Sequence, residues 1–147
     1  MKIVVQRVNS AKLTIDGAEH CSINRGILAL VGIKTDDNES VFEWIGNKLV
    51  NLRIFNDAEG KMNLSVSDIE GEIMLVSNFT LYGDARKGFR PSYTDAMLPE
   101  LAKSYYDNFV KFMQTKYPKV KIVSGIFGAM MDIELINNGP VTVIIEK

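Results

Sequence analysis

Ser77-Asn78-Phe79-Thr80-Leu81 places two hydroxyls close together where an apolar run, Ile73 to Leu81, is expected to end as a strand. A hydroxyl at the rim of a sheet can attack a carbonyl only if a neighbouring base takes its proton. The sequence offers little in that role. His20 is the one histidine, it stands beside an expected hairpin, and no serine-elbow motif accompanies it, so it reads as a surface residue. With one Cys and one His the common zinc sets cannot be assembled, and no metal or other cofactor is expected. A hydrolase built on this chain must therefore use backbone groups, hydroxyls or its own substrate. Two further segments stand out. Lys87-Gly88-Phe89-Arg90-Pro91-Ser92-Tyr93 sets cations beside an aromatic in a Gly- and Pro-punctuated loop, and Asn137-Asn138-Gly139-Pro140-Val141-Thr142 carries strong turn chemistry. Taken singly, the three segments read as a strand end, a surface loop and a hairpin turn. Asp57-Ala58-Glu59-Gly60-Lys61 is a turn without the spacing of a phosphate loop.

The elements that must hold these segments follow from periodicity. Ile3 to Val8 and Leu13 to Ile15 read as strands, the second running into Asp16-Gly17, a hairpin dipeptide. The nearly unbroken apolar run Ile27 to Ile33 suits a strand buried on both faces. Asp37 or Ser40 is positioned to cap a helix with Val41, Trp44, Ile45, Lys48, Leu49 and Leu52 on one side, which makes Trp44 a core or interface residue. A second helix starts near Pro99 and ends before Pro118, with Ala102, Tyr105, Tyr106, Phe109, Phe112 and Met113 inward. Strands follow at Lys121 to Val123, Met131 to Ile136 and Val141 to Ile145. The order β-β-β-β-α-β-α-β-β-β implies an α+β fold, a largely antiparallel and barrel-like sheet carrying two main helices.

The 147 residues are the size of a single domain, 1–147, without repeat or linker. No run approaches the roughly 20 apolar residues of a membrane span. The early charges of Lys2 and Arg7 do not suit a signal peptide, and a lone Cys21 fits a reducing compartment, so a cytoplasmic location is expected. A formal net charge of −1 argues against a broad nucleic-acid-coating face. Any phosphate contact must be local, from Arg86, Lys87 and Arg90 or from Lys111, Lys116, Lys119 and Lys121.

The motifs in order resemble the bacterial D-aminoacyl-tRNA deacylase family along the whole chain. They are Gln6-Arg7-Val8, Arg53-Ile54-Phe55, Asp57 to Leu64, Ser77 to Leu81, Lys87 to Tyr93, Gly125 to Met131 and Asn138-Gly139-Pro140-Val141-Thr142. The sequence departs from the family's usual pattern in having Asn78 in place of Gln, Met130 where Asp is common, and Asn137-Asn138 before the Gly-Pro pair.

The resemblance implies a hydrolase that cleaves the ester of D-aminoacyl-tRNA, and of glycyl-tRNA mischarged on a non-cognate tRNA, in translation proofreading. It implies a homodimer with active sites at the subunit interface, where Gly139-Pro140 of each subunit, held cis and braced by Arg7, turns carbonyl oxygens toward the amino acid in the other. L side chains meet that screen. Ser77, Phe79 and Thr80 take the catalytic positions, with N–H groups around Phe79 and Thr80 facing the developing oxyanion. No base stands near Thr80, so it positions the ester while the 2′-hydroxyl of the terminal ribose assists the reaction. Asn78, Lys87, Gly88, Phe89, Phe127 and Met131 contact the substrate and its terminal adenosine. Two rivals stay open: a nucleic-acid-binding or scaffold dimer without catalysis, and, because of Asn78, a deacylase with altered chiral preference.

Overall fold

The computed structural model describes all 147 residues. Its strands are β1 (Lys2–Ile15), β2 (Ala18–Ile23), β3 (Gly26–Gly32), β4 (Phe55–Asn56), β5 (Met62–Leu64), β6 (Glu72–Ser77), β7 (Lys121–Ser124) and β8 (Met131–Glu146). The helices are α1 (Phe42–Asn51) and α2 (Pro99–Lys116), with short 3-10 turns at Glu39–Val41 and Phe79–Tyr82. In the main sheet the order is β2-β1-β3-β6-β7, and β8 lies along the other side of β1. Because β1 is long enough to pair with β3 through its first half, β2 through its second and β8 through both, the sheet curls into a nearly closed barrel.

The α+β expectation holds, with one adjustment. The pairs β3–β6 and β6–β7 are parallel, so the sheet is mixed. Each parallel pair needs a crossover, and the two segments carrying α1 and α2 supply them. Both helices join the larger core cluster with Ile27, Ala29, Val31, Ile73 and Leu75, while Leu28, Met74 and Val76 point into a second cluster on the opposite face. That alternation explains the unbroken apolar runs: both faces of these strands are buried.

The second helix matches its expected span, burying Ala102, Tyr105, Tyr106, Phe109 and Met113. The first is rotated from the expected face. Phe42, Ile45, Gly46, Leu49 and Val50 point inward, and Trp44 is 37% exposed with the Lys48 and Lys147 ammoniums over its ring. Neither expected cap is used at α1, since Asn38 caps the preceding 3-10 turn and Asp37 accepts from the Lys34 N–H. The two opening strands are one, β1, and the two closing strands are likewise one, β8. The Asn137 to Thr142 segment is therefore no hairpin turn; it is an excursion within a strand.

Candidate active site

Strands β3 and β6 run in the same direction, and their carboxyl ends open on one rim. General experience with parallel sheets places ligands there. β6 stops at Ser77, short of the expected Leu81, because Asn78 leaves the ladder: its N–H still donates to the Val31 carbonyl at 2.8 Å, but its side chain turns to cap the Phe79–Tyr82 turn. Asn78 Oδ1 accepts from the Thr80 N–H at 3.1 Å and from the Thr80 hydroxyl. Gly32 lets this turn sit close, since a Cβ there would lie 3.0 Å from Leu81 Cβ and 3.3 Å from the Asn78 carbonyl oxygen.

A cavity of about 520 Å³ opens at this rim, within the usual size of a small-ligand site. Ser77, Asn78 and Phe79 form one wall, Phe127 and Met131 another. Tyr93 comes from the Lys87 to Tyr93 segment, and other lining residues come from positions with no motif to mark them, among them Val31, Met97 and Leu98. Only their spatial convergence reveals them. Phe79 is 57% exposed and meets the Tyr93 ring edge-on, with centroids 5.1 Å apart. Phe127 leans on Tyr106, whose hydroxyl donates to the Leu75 carbonyl at 2.9 Å and so ties α2 to β6 directly beneath the site.

The electrostatics agree with the absence of an acid/base kit. No carboxylate or imidazole lines the cavity. Thr80 is exposed beside it, and its hydroxyl proton is engaged by a carboxamide, which is not a base. Of the two N–H groups expected to face an oxyanion, that of Thr80 is already held by Asn78. Phe79 begins the turn, so its N–H has no partner within it and is the free donor. A shallower cleft of about 430 Å³ nearby is lined by Lys2, Asp84, Arg86 and Asp95, but Arg86 and Asp84 satisfy each other across 2.7 Å.

Lys87, Gly88 and Phe89 do not line the cavity. They crown a loop closed at its base by reciprocal Asp84–Ser92 backbone bonds of 2.8 and 2.9 Å, with Gly88 at φ +68° and Phe89 fully exposed. Arg86 is not the free cation expected, because its bonds to Asp84 hold that carboxyl down at about 2. Lys87 and Arg90 have no acidic partner.

Gly139 and Pro140 are also absent from the cavity. They project, exposed, from β8, and the peptide bond between them is cis. Beneath them Arg7 is buried, its Nε donating to the Asn138 carbonyl at 2.9 Å and its Nη1 to the Ile54 carbonyl. The structure thus brings together Ser77, Asn78, Phe79, Phe127 and Met131, and separately Arg7, Gly139 and Pro140.

Residues 4–146 match the family model described as D-Tyr-tRNA(Tyr) deacylase. The D-aminoacyl-tRNA deacylase of Carboxydothermus hydrogenoformans is 51% identical over 146 residues, 99% of each chain. Among solved structures, the c-Myc DNA unwinding element binding protein superposes with a TM-score of 0.94 at 40% identity, covering 100% of this chain and 99% of that one. A probable eukaryotic D-amino acid tRNA deacylase shares the fold, with a TM-score of 0.86 at 15% identity over 98% of this chain and 97% of its own. With a family model spanning nearly every residue and a curated relative identical at half of all positions, the chain belongs to the D-Tyr-tRNA(Tyr) deacylase family.

Proposed function

We propose that the protein hydrolyses D-aminoacyl-tRNA, and glycyl-tRNA formed on a non-cognate tRNA, as a cytoplasmic homodimer whose Gly139-Pro140 excursions each screen the partner's cavity. The observation that carries this reading is the separation of two built features: a cavity rimmed by hydroxyls, and a braced, exposed Gly-Pro excursion that does not line it. A second copy reconciles them. The outer edge of β8 has no partner strand, and Leu135, Ile136 and Ile144 are exposed along that strand. Long unpaired apolar edges are otherwise a hazard.

In this reading the aminoacyl ester lies against Ser77 to Thr80 with its carbonyl oxygen toward the Phe79 N–H. Water adds to the carbonyl carbon, the bond to the ribose oxygen breaks, and that oxygen leaves protonated. A single aligned donor to the oxyanion is worth about 100- to 1000-fold in rate. Thr80 and Asn78 set the turn, the terminal ribose 2′-hydroxyl assists proton movement, and Phe127 and Met131 offer the terminal adenosine an apolar wall. Lys87, Gly88 and Phe89 meet the adenosine's outer side and the adjoining phosphates. The fold-sharing relative named for DNA binding favours a second reading, nucleic-acid binding without catalysis; against it, duplex binding requires no cavity of this size.

The deciding experiment is a time course of ester loss from D-tyrosyl-, glycyl- and L-alanyl-tRNA. A steric screen spares only what projects a side chain into it, so D-tyrosyl- and glycyl-tRNA are cleaved and L-alanyl-tRNA survives. No cleavage of any substrate, with tRNA bound, supports the binding-only reading. Survival of glycyl-tRNA beside cleaved D-tyrosyl-tRNA means the pocket grips the D side chain, and the screen is wrong.

A further inference from the structure

Strands β1 and β8 pair along nearly their whole length, from Lys2 opposite Glu146 to Ile15 opposite Met131. Near the middle Gln6 faces Thr142 while Val8 faces Asn137, so one residue, Arg7, stands opposite the four from Asn138 to Val141. An excursion of that kind keeps its direction only if both rims of its neck are held. Gln6 holds both. Its Nε2 donates to Asn137 Oδ1 at 2.9 Å and its Oε1 accepts from the Thr142 hydroxyl. The leading rim has further ties, Asn138 Nδ2 to Asn9 Oδ1 at 2.6 Å and Arg7 Nε to the Asn138 carbonyl. At Thr142 the Gln6 bond is the sole side-chain tie.

We infer that Gln6 is a positioning residue for chiral selection, the clasp that joins Asn137 to Thr142 across the neck of the Gly139-Pro140 excursion. The inference rests on the reading of that excursion as the screen in the partner's cavity. Gln6 touches no substrate; it acts through the aim of two carbonyls. Misplacement by about 1 Å can cost on the order of 100-fold in an oriented reaction, and a loosened screen should fail in a recognisable way, slower on D substrates and less closed to L.

The test compares Gln6→Met, which keeps length but loses both bonds, with Gln6→Glu, whose carboxylate oxygens accept from Thr142 and from the Asn137 amide once that amide turns over. Gly139→Ala reports on the screen itself, since it adds a Cβ to the excursion while the backbone leaves room for it and only the movable end of the Asn137 side chain, 2.7 Å away, must shift. The readout is kcat/KM on D-tyrosyl- and L-tyrosyl-tRNA. For Gln6→Met the D-to-L ratio is expected to narrow about tenfold, with the thermal midpoint held to within about 3 °C because the lost bonds are near the surface. Gln6→Glu should recover most of the ratio, a result a general loss of packing would not give. Should Gln6→Met fold poorly, Thr142→Val removes one rim's bond and is expected to narrow the ratio likewise. An unchanged ratio in Gln6→Met and Thr142→Val, with Gly139→Ala altered, overturns the clasp and leaves the screen standing. An unchanged ratio in Gly139→Ala as well overturns both.

Discussion

Replacing Thr80 with valine tests whether the Thr80 hydroxyl attacks the ester. Valine keeps the shape and removes only the hydroxyl. The structure shows what that hydroxyl does: it donates to Asn78 Oδ1, which also accepts the Thr80 N–H at 3.1 Å. After the substitution the backbone bond remains, so the turn that presents the Phe79 N–H persists. One exposed neutral hydrogen bond is worth about 1 kcal/mol, or roughly fivefold in rate if all of it is felt in the transition state. Asn78→Ala removes both bonds and should cost more, roughly 30-fold if about 2 kcal/mol is lost. If Thr80 were the nucleophile the order would invert, with Thr80→Val down by about four orders of magnitude or more and Asn78→Ala milder. Single-turnover hydrolysis of D-tyrosyl-tRNA, with circular dichroism and tRNA binding as controls, separates these cases. Complete loss in Thr80→Val with fold and binding intact would refute the substrate-assisted account.

Two further outcomes are expected. Sedimentation of the native chain should give a dimer at micromolar concentration, and Ile136→Lys with Ile144→Lys, at side chains 61% and 64% exposed on β8, should give monomers of much reduced activity; full activity in a monomer sinks the shared-site arrangement. On alkaline titration, burial raises the Tyr82, Tyr105 and Tyr106 hydroxyls above their ordinary value, and that of Tyr82 has no hydrogen-bond partner. Their folded values lie above the unfolded value of about 10, so their contribution is whole below pH 10 and declines as pH rises beyond it. Absorbance at 295 nm should therefore show these three of the five tyrosines ionising only with loss of structure, and ionisation of all five in the folded protein would contradict their burial.

Local pattern alone determined a good deal here. The span and inward face of α2 follow from apolar spacing between Pro99 and Pro118, and the Ile27 to Ile33 run correctly announced a strand covered on both sides. That one Cys and one His cannot assemble the common zinc sets was equally plain from composition, whereas the fold decided that none of the 18 carboxylates lines the cavity. The motifs of the three candidate segments were visible too, and their order along the chain carried the family resemblance. What the sequence did not encode locally is which strand lies beside which. β3 and β6 pair in parallel although Ile27 and Ile73 are far apart in the chain, and that pairing places Ser77, Phe79 and Phe127 around one cavity. Likewise Asn138-Gly139-Pro140 has the composition of a hairpin turn, yet β1 is long enough to pair on both sides of it, so the ladder resumes and the turn becomes an excursion clasped by Gln6 and floored by Arg7. Turn residues specify that the chain must leave the ladder; only the partner strand decides whether it comes back.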